Sequence, residues 1–452
     1  MSGHAKIFLF FIHLSSGYYK GIRIDNGGET VNCQLSTVTL IHVDFDDDFD
    51  DSYYEQAAEQ IYDNGGYNPE MLSTQKGSAL INETFRVFNT AIDKGLGEEP
   101  DPKVSAALRE NAFIFSGFKT HAELEQVSQM LTDEKGNIKP FNEFLNDIQS
   151  INQDYNHNYL RTEYNQALQA AQMAGKWADF EKNKNFINLQ YCTANDERVR
   201  ASHRILHGTT LPVDDPFWKQ YTPPKGWGCR CTVVAVLKDD YPVQDSHGSI
   251  AKAESCFKTP KEKMFKENLA EKKRLFPSKH PYLPKGCGEC EYKKLIFENE
   301  KAICKACRKI DKEYVKWSRE TARNHYQKLI GDKEYIEWNI NNGDVDKLTI
   351  KYQDIKTVTG KPHSYPFARN MAVYYLKTLL QPQNAKYLGN TPDIKGNDVH
   401  GHTTETIWHY YEIKFMKGFS YIVIKEVNGK KYIHHIQDEM HFDKSKIRNK
   451  IF

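Results

Sequence analysis

The 452 residues suffice for about three domains. Their 61 basic and 60 acidic side chains leave a net charge of +1, which excludes a global basic field for nucleic acid but not a local patch. Mean hydropathy is −0.69, and no run approaches the ~20 apolar residues of a membrane helix, so no membrane partner is expected.

Residues 1–51 read as a flexible acidic segment. Ile7-Phe8-Leu9-Phe10-Phe11-Ile12 is short and lacks a small-residue cleavage site, which argues against a signal peptide. The run Asp44 to Asp51 is a solvated stretch, with a docking peptide for a basic partner as the alternative. Residues 52–139 read as a helical region, in which Thr120-x-x-Glu123 has the form of a capping box. Beyond it, Phe141, Leu145, Ile148, Ile151, Tyr155 and Tyr159 recur at steps of three or four and line one face of a long helix. A second helix from about Thr162 to Trp177 carries Ala167, Ala170, Ala171 and Ala174, small residues that permit close packing.

The densest stretch runs from Tyr191 to Cys231 and reads YCTANDERVRASHRILHGTTLPVDDPFWKQYTPPKGWGCRC. Its prolines and glycines forbid a long helix in the second half. Phe217, Trp218 and Trp227 are then buried by a compact, loop-rich unit. Asp196, Arg198 and Arg200 read as an ion-pair network that fixes the loop rather than a catalytic set, since no nucleophile–base pair is apparent. His203, Cys229 and Cys231, with Cys192 nearby in sequence, have two readings: a tetrahedral zinc site, or a hydrogen-bonded core histidine beside reduced thiols.

The ordered run D-x-R-V-R…H…L-x-G-x-T-L-P-V-D-D-P-F-W…P-P-x-G-W-G-C-R-C resembles the phage Mu F-like head-morphogenesis family, over residues 140–237, under a quarter of the chain. The resemblance implies a minor head protein acting near the portal, other head proteins and packaged DNA, located in the virion or the bacterial host cytoplasm. It does not imply an enzyme.

Residues 238–285 are rich in lysine, with Lys252, Lys258, Lys261, Lys263, Lys266, Lys272, Lys273 and Arg274. They read as a basic linker with a solvated helix near 261–276, or as a contact for DNA phosphates. Six of the nine cysteines lie in C-x-C or C-x-x-C pairs, which favours metal or reduced thiols over a disulfide framework, in a cytosolic setting. Four of them, Cys287, Cys290, Cys304 and Cys307, have the C-x2-C-x13-C-x2-C spacing of a structural zinc knuckle at 286–308. Residues 309–347 read as a helical connector that ends in the turn Asn341-Asn342-Gly343-Asp344.

Residues 348–452 switch to an α+β pattern. A helix opens at Ser364-Tyr365-Pro366, with Phe367, Met371, Tyr374, Tyr375 and Leu379 on its apolar face. Strands follow at 408–415, 419–426 and 430–436, and Asn428-Gly429 predicts a two-residue hairpin turn. That turn pairs Ile424 with Ile433 and Val423 with His434. A second tight turn at Lys417-Gly418 pairs Ile413 with Ile422. One face then holds Tyr411, Ile413, Phe415, Ile422, Ile424 and Ile433. The other collects Trp408, Tyr410, Glu412, Lys414, Tyr421, Val423, Lys425, Tyr432 and His434.

Such a polar face suits RNA cleavage, with His434 as base or acid, Glu412 as its partner, and Lys414 and Lys425 on the phosphate. His363, His400, His402, His409 and His435 compete for the role. The element order resembles the barnase/EndoU/colicin/RelE-like ribonuclease fold, which implies a metal-independent nuclease or toxin domain acting on RNA. A non-catalytic binding module is the alternative. The expected architecture is therefore an α+β multidomain chain: a helical N-terminal half with a loop-rich module, a four-cysteine knuckle, and a terminal helix with an antiparallel sheet.

Overall fold

The computed structural model describes residues 49–284, 305–395, 404–416, 418–447 and 449–450. They divide into two compact units, separated in sequence between Ala306 and Cys307.

The first unit begins with helices α1 (Ser52–Asp63), α2 (Gln75–Leu96) and α3 (Pro102–Gln129). Local chemistry sets their ends. The Thr74 hydroxyl accepts from Gly77 N at the start of α2, and Gly97, with φ of 71°, closes it. Asp101 caps α3 ahead of Pro102. Thr120 and Glu123 do not form a capping box: both are fully buried within α3, which runs unbroken from Pro102 to Gln129 through Gly117.

Helices α4 (Phe141–Asn152) and α5 (Leu160–Asn183) are joined by a π-helical turn, Gln153–Tyr159. The wider turn shifts the expected apolar stripe. Phe144, Ile148 and Ile151 face inward, but beyond them Asn156 and Leu160 take the buried positions, and Tyr159 is 44% exposed. The small face of α5 does permit close approach. A Cβ added at Gly95 of α2 would lie 2.7 Å from Ala171 Cβ and 2.8 Å from Leu168 O.

The dense stretch and its two flanks build a three-stranded antiparallel sheet in the order β2-β1-β3, from β1 (Ile187–Cys192), β2 (Thr210–Pro212) and β3 (Thr232–Leu237). Short helices α6 (Ala201–Arg204) and α7 (Pro216–Tyr221) lie between the strands in sequence. Phe217 and Trp218 are buried in the core, as the loop-rich reading requires.

Residues 238–284 are not a linker carrying a solvated helix. They contain α8 (Ser246–Glu254) and a four-residue α9 (Pro260–Lys263), and they bury Phe257, Phe265, Leu269, Leu275 and Phe276. Phe276 stacks on Phe115 of α3 at 3.7 Å between centroids. Asn111 Oδ1 accepts from the backbone N–H groups of Leu275 and Phe276, and Gln166 Nε2 donates to Leu275 O. The knuckle cysteines Cys287, Cys290 and Cys304 lie outside the described residues, as do His400, His402 and most of the acidic N-terminal segment. Cys307 is buried in helix α10 (Lys305–Ile330).

In the second unit the expected helical connector ends at Ile330. Strands β4 (Ile336–Asn342) and β5 (Val345–Ile350) form a hairpin there, so the Asn-Asn-Gly-Asp turn lies inside the domain. Helices α11 (Tyr352–Gly360), α12 (Pro366–Tyr374) and α13 (Leu376–Leu379) follow. Five further strands complete the sheet: β6 (Ala385–Lys395), β7 (Thr404–Lys414), β8 (Phe419–Val427), β9 (Lys430–Asp438) and β10 (Asn449–Lys450). The sheet order is β10-β6-β7-β8-β9-β5-β4. Only the β5–β9 pairing is parallel among the described strands.

The Asn428-Gly429 turn pairs Val427 with Lys430 and Ile424 with Ile433, as predicted. A bulge then intervenes, so Val423 faces His435 and not His434. The β7–β8 register differs from expectation by two residues: Tyr411, not Ile413, faces Ile422, because the loop spans four residues from Lys414 to Phe419. A two-residue slip keeps the same faces. The predicted apolar face is therefore intact, with Tyr411, Ile413, Phe415, Ile422, Ile424 and Ile433 all buried, and α11 and α12 pack on β9. The opposite face is not an open polar surface. Tyr410 and Val423 pack with Ile447 and Phe442 of the C-terminal tail, and Tyr421 stacks on Phe442 at 4.0 Å.

Candidate functional site

Two regions gather chemistry-bearing side chains. In the first unit, the Asp215 side chain accepts from Phe217 N at 2.9 Å to start α7, and Trp218 Nε1 donates to Pro212 O at 2.9 Å. Asp196 does not pair chiefly with Arg198, which is 3.8 Å away. Its carboxylate takes both guanidinium nitrogens of Arg230, which holds its pKa at about 2. Arg200 instead donates to Trp227 O. These contacts fix loops and offer no nucleophile.

Behind them lie His203 of α6 and the pair Cys229 and Cys231, all buried. Cys231 Sγ is 3.5 Å and Cys229 Sγ 3.6 Å from His203 Nδ1. The Cys231 contact, with help from His203, holds Cys229 well below an ordinary thiol against the cost of burial, and the same contact pushes Cys231 up. Among the described residues these three form the one group of three or more His, Cys and carboxylate side chains with ligand atoms all within 4.8 Å of one another. Cys192 is buried at the end of β1 but outside that group. Nearby Lys225 is buried with Nζ 2.6 Å from Phe265 O and 2.7 Å from Glu267 O, and burial lowers its pKa to about 7.

In the second unit, the sheet gathers some of the expected site residues and separates others. His434 packs edge-on against Trp408 at 4.7 Å, and Lys425 Nζ lies 5.8 Å from the same ring. Glu412 is not hydrogen-bonded to His434; Lys444 Nζ donates to it at 3.0 Å. Burial pushes Glu412 up, but the Lys444 and Tyr421 contacts outweigh it and leave the carboxyl below its ordinary range. Lys414 is exposed.

Lys361, absent from the sequence reading, joins His434 instead. Its Nζ lies 3.4 Å from His434 Nε2, donates to His434 O at 3.0 Å, and lies 3.1 Å from His435 Nδ1. Burial, then the charge of Lys361, lowers His434 to about 4, so the imidazole is neutral at pH 7. Two residues beyond Lys361, His363 sits 3.6 Å from Asp438, which also accepts from Ser364 N. His409 is placed elsewhere, buried between Tyr387 and Glu426. Lys361 is 73 residues from His434 in sequence, a separation that carries no spacing signal, so only the fold reveals the contact.

Comparison with known proteins assigns the first region. The family described as Phage Mu protein F like protein matches residues 123–234. The chain carries a phage Mu F-like domain. The Mu-like prophage FluMu F protein of Haemophilus influenzae is 40% identical over 85 residues, 19% of each chain. The putative capsid assembly protein F of Escherichia phage Mu is 37% identical over 78 residues, 17% of this chain and 18% of the relative. An uncharacterized protein of Methanocaldococcus jannaschii is 39% identical over 72 residues, 15% of this chain and 11% of the relative. The chain thus spans less than a fifth of the length of these relatives. No solved structure matches. Among the described residues, no helix is long and apolar enough to cross a membrane.

Proposed function

We propose that this chain acts in assembly of a phage head, with its Mu F-like domain as the part that engages other head proteins, in the virion or the host cytoplasm. The observation that carries this reading is the similarity of that domain to the capsid assembly protein of phage Mu and to a prophage F protein. The portal is the head partner the family resemblance favours. Exposed Lys252, Lys258, Lys261, Lys263 and Lys272 support a contact with packaged DNA phosphates. The test is deletion of the gene from its parental prophage, followed by induction and electron microscopy. Arrest before filled heads, with the tagged chain co-purifying with head proteins, is expected. Normal filled heads without the chain overturn the reading.

A second reading concerns the C-terminal unit, which we propose as an RNA-cleaving domain. Its support is the neutral His434 beside Lys361 and Lys425. In this reading His434 takes the 2′-hydroxyl proton, that oxygen attacks the phosphorus, the two lysines face the developing phosphorane charge, and the P–O5′ bond breaks with the leaving oxygen protonated from solvent. Glu412 is engaged by Lys444 and takes no acid role. Full-length chain with RNA in EDTA is expected to cleave, with the activity lost in His434→Ala and reduced in Lys361→Ala. Absence of cleavage by the folded wild-type chain leaves a binding module.

A further inference from the structure

We propose that His203, Cys229 and Cys231 form a zinc site that pins the Mu F-like domain together. The residue types come first. Two sulfurs and one imidazole nitrogen are the ligand set that favours Zn²⁺ over the hard cations. Geometry comes second. Bonds of about 2.3 Å from zinc to sulfur and about 2.0–2.1 Å to nitrogen, at tetrahedral angles, set the sulfur–nitrogen separation at ~3.5 Å. The two separations here are 3.5 and 3.6 Å. Both sulfurs therefore lie at the ligand–ligand distance from one nitrogen.

The local chain is built to present these atoms. Gly226 and Gly228 take φ of 145° and 67°, and Cys229 N donates to Gly226 O at 3.0 Å. After this turn the chain leads directly into β3. Side chains two apart then share a face, so Cys229 and Cys231 point inward while Arg230 points out to Asp196. His203 reaches the pair from α6, a separation of 26 and 28 residues.

A further group also points to a ligand. The Tyr191 hydroxyl, fully buried on β1, faces the thiol pair: its one polar neighbour is the Cys231 thiol, and no oxygen or nitrogen group partners it. A metal held by the three side chains would lie among buried groups, as in structural rather than catalytic zinc centres. Binding releases a proton from each sulfur that still carries one, and two thiolates balance the charge of Zn²⁺.

The test uses the full chain. Cys287, Cys290 and Cys304 are replaced by serine, so that the second cysteine set cannot contribute. After Zn²⁺ loading and gel filtration, elemental analysis is expected to find one equivalent of zinc, and adding Cys229→Ser should remove it. Should that serine variant unfold, Co²⁺ titration of the folded, metal-free parent variant serves in its place. A thiolate-to-cobalt charge-transfer band saturating at one equivalent is expected. A folded parent variant that takes up neither metal, or zinc that persists in folded Cys229→Ser, overturns the assignment.

Discussion

Glu123→Gln probes a carboxyl buried inside the helical half. Glu123 has no exposed surface; its Oε1 accepts from Asn156 Nδ2 at 2.6 Å, and its Oε2 has no hydrogen-bond partner. Burial raises its pKa from 4.5 to about 8, although Lys119 and Asn156 pull it down. Between those values the folded chain holds a proton that the unfolded chain has released. The stability contributed by this group is thus complete below 4.5 and is lost as pH rises through about 8. At about 1.36 kcal/mol per pH unit, the loss amounts to about 4–5 kcal/mol. Glutamine copies the neutral acid, keeps the acceptor for Asn156 and cannot ionise. Its amide group replaces an oxygen already without a partner, which costs about 1 kcal/mol at low pH. Hydrogen exchange of α3 and α5 peptides, corrected for intrinsic rates, is the assay, from about pH 5 to about pH 9. Wild-type protection should fall across the range while the variant stays level and overtakes it. A wild-type profile that does not fall, or a variant that falls in parallel, refutes the account.

Three other substitutions follow from the packing. Lys119 is wholly buried with Nζ 2.6 Å from Glu163, so Glu163→Ala should cost about 3–5 kcal/mol, largely recovered in Lys119→Met/Glu163→Leu, by the same exchange measurement. Phe217→Ala removes a ring with no exposed surface and should cost about 3–5 kcal/mol, read from the urea midpoint of Trp218 fluorescence. Gly343→Ala sets a Cβ 2.1 Å from Tyr387 Cδ1 at a φ of 58°. It should cost about 1–3 kcal/mol and lower exchange protection in β4 and β5.

Where periodicity or turn chemistry decides the structure, it could be read in advance. Asn428-Gly429 set its hairpin, and the alternation through Tyr411, Ile413, Ile422 and Ile424 identified the core face even though one register was two residues off. What local pattern could not show was the bulge that moves His434 out of the row facing Val423. Nor could it show Lys361, which reaches β9 from the end of α11. Strand β6 was missed because Gly389 and Pro392 interrupt it, and both weaken a strand pattern. Glu123 misled in the opposite sense: a threonine and a glutamate three apart look like a helix start, but a buried acid inside a helix has no sequence mark.

The segment 238–284 shows why lysine density is a poor guide to solvation. Phe257, Phe265, Leu269 and Phe276 stand at helix-compatible steps of eight, four and seven, yet most of the chain between them runs in turns, so periodicity suggests a helix that does not form and misses the burial. A buried loop must still satisfy its backbone, and here side chains from elsewhere do so: Lys225 for Phe265 and Glu267, Gln166 and Asn111 for Leu275, and Asn111 again for Phe276. The core of the Mu F-like domain itself includes Phe257 and Ala270. A fragment of residues 49–237 would leave Lys225 as a buried cation without its two carbonyls and open a cavity beside His203, where Phe257 stacks at 5.9 Å. Such losses are comparable to the margin of a typical domain, about 5–15 kcal/mol. The fragment 49–284 should therefore fold cooperatively, and 49–237 should not. Equal, cooperative thermal unfolding of both would show that the domain closes its core without the lysine-rich segment.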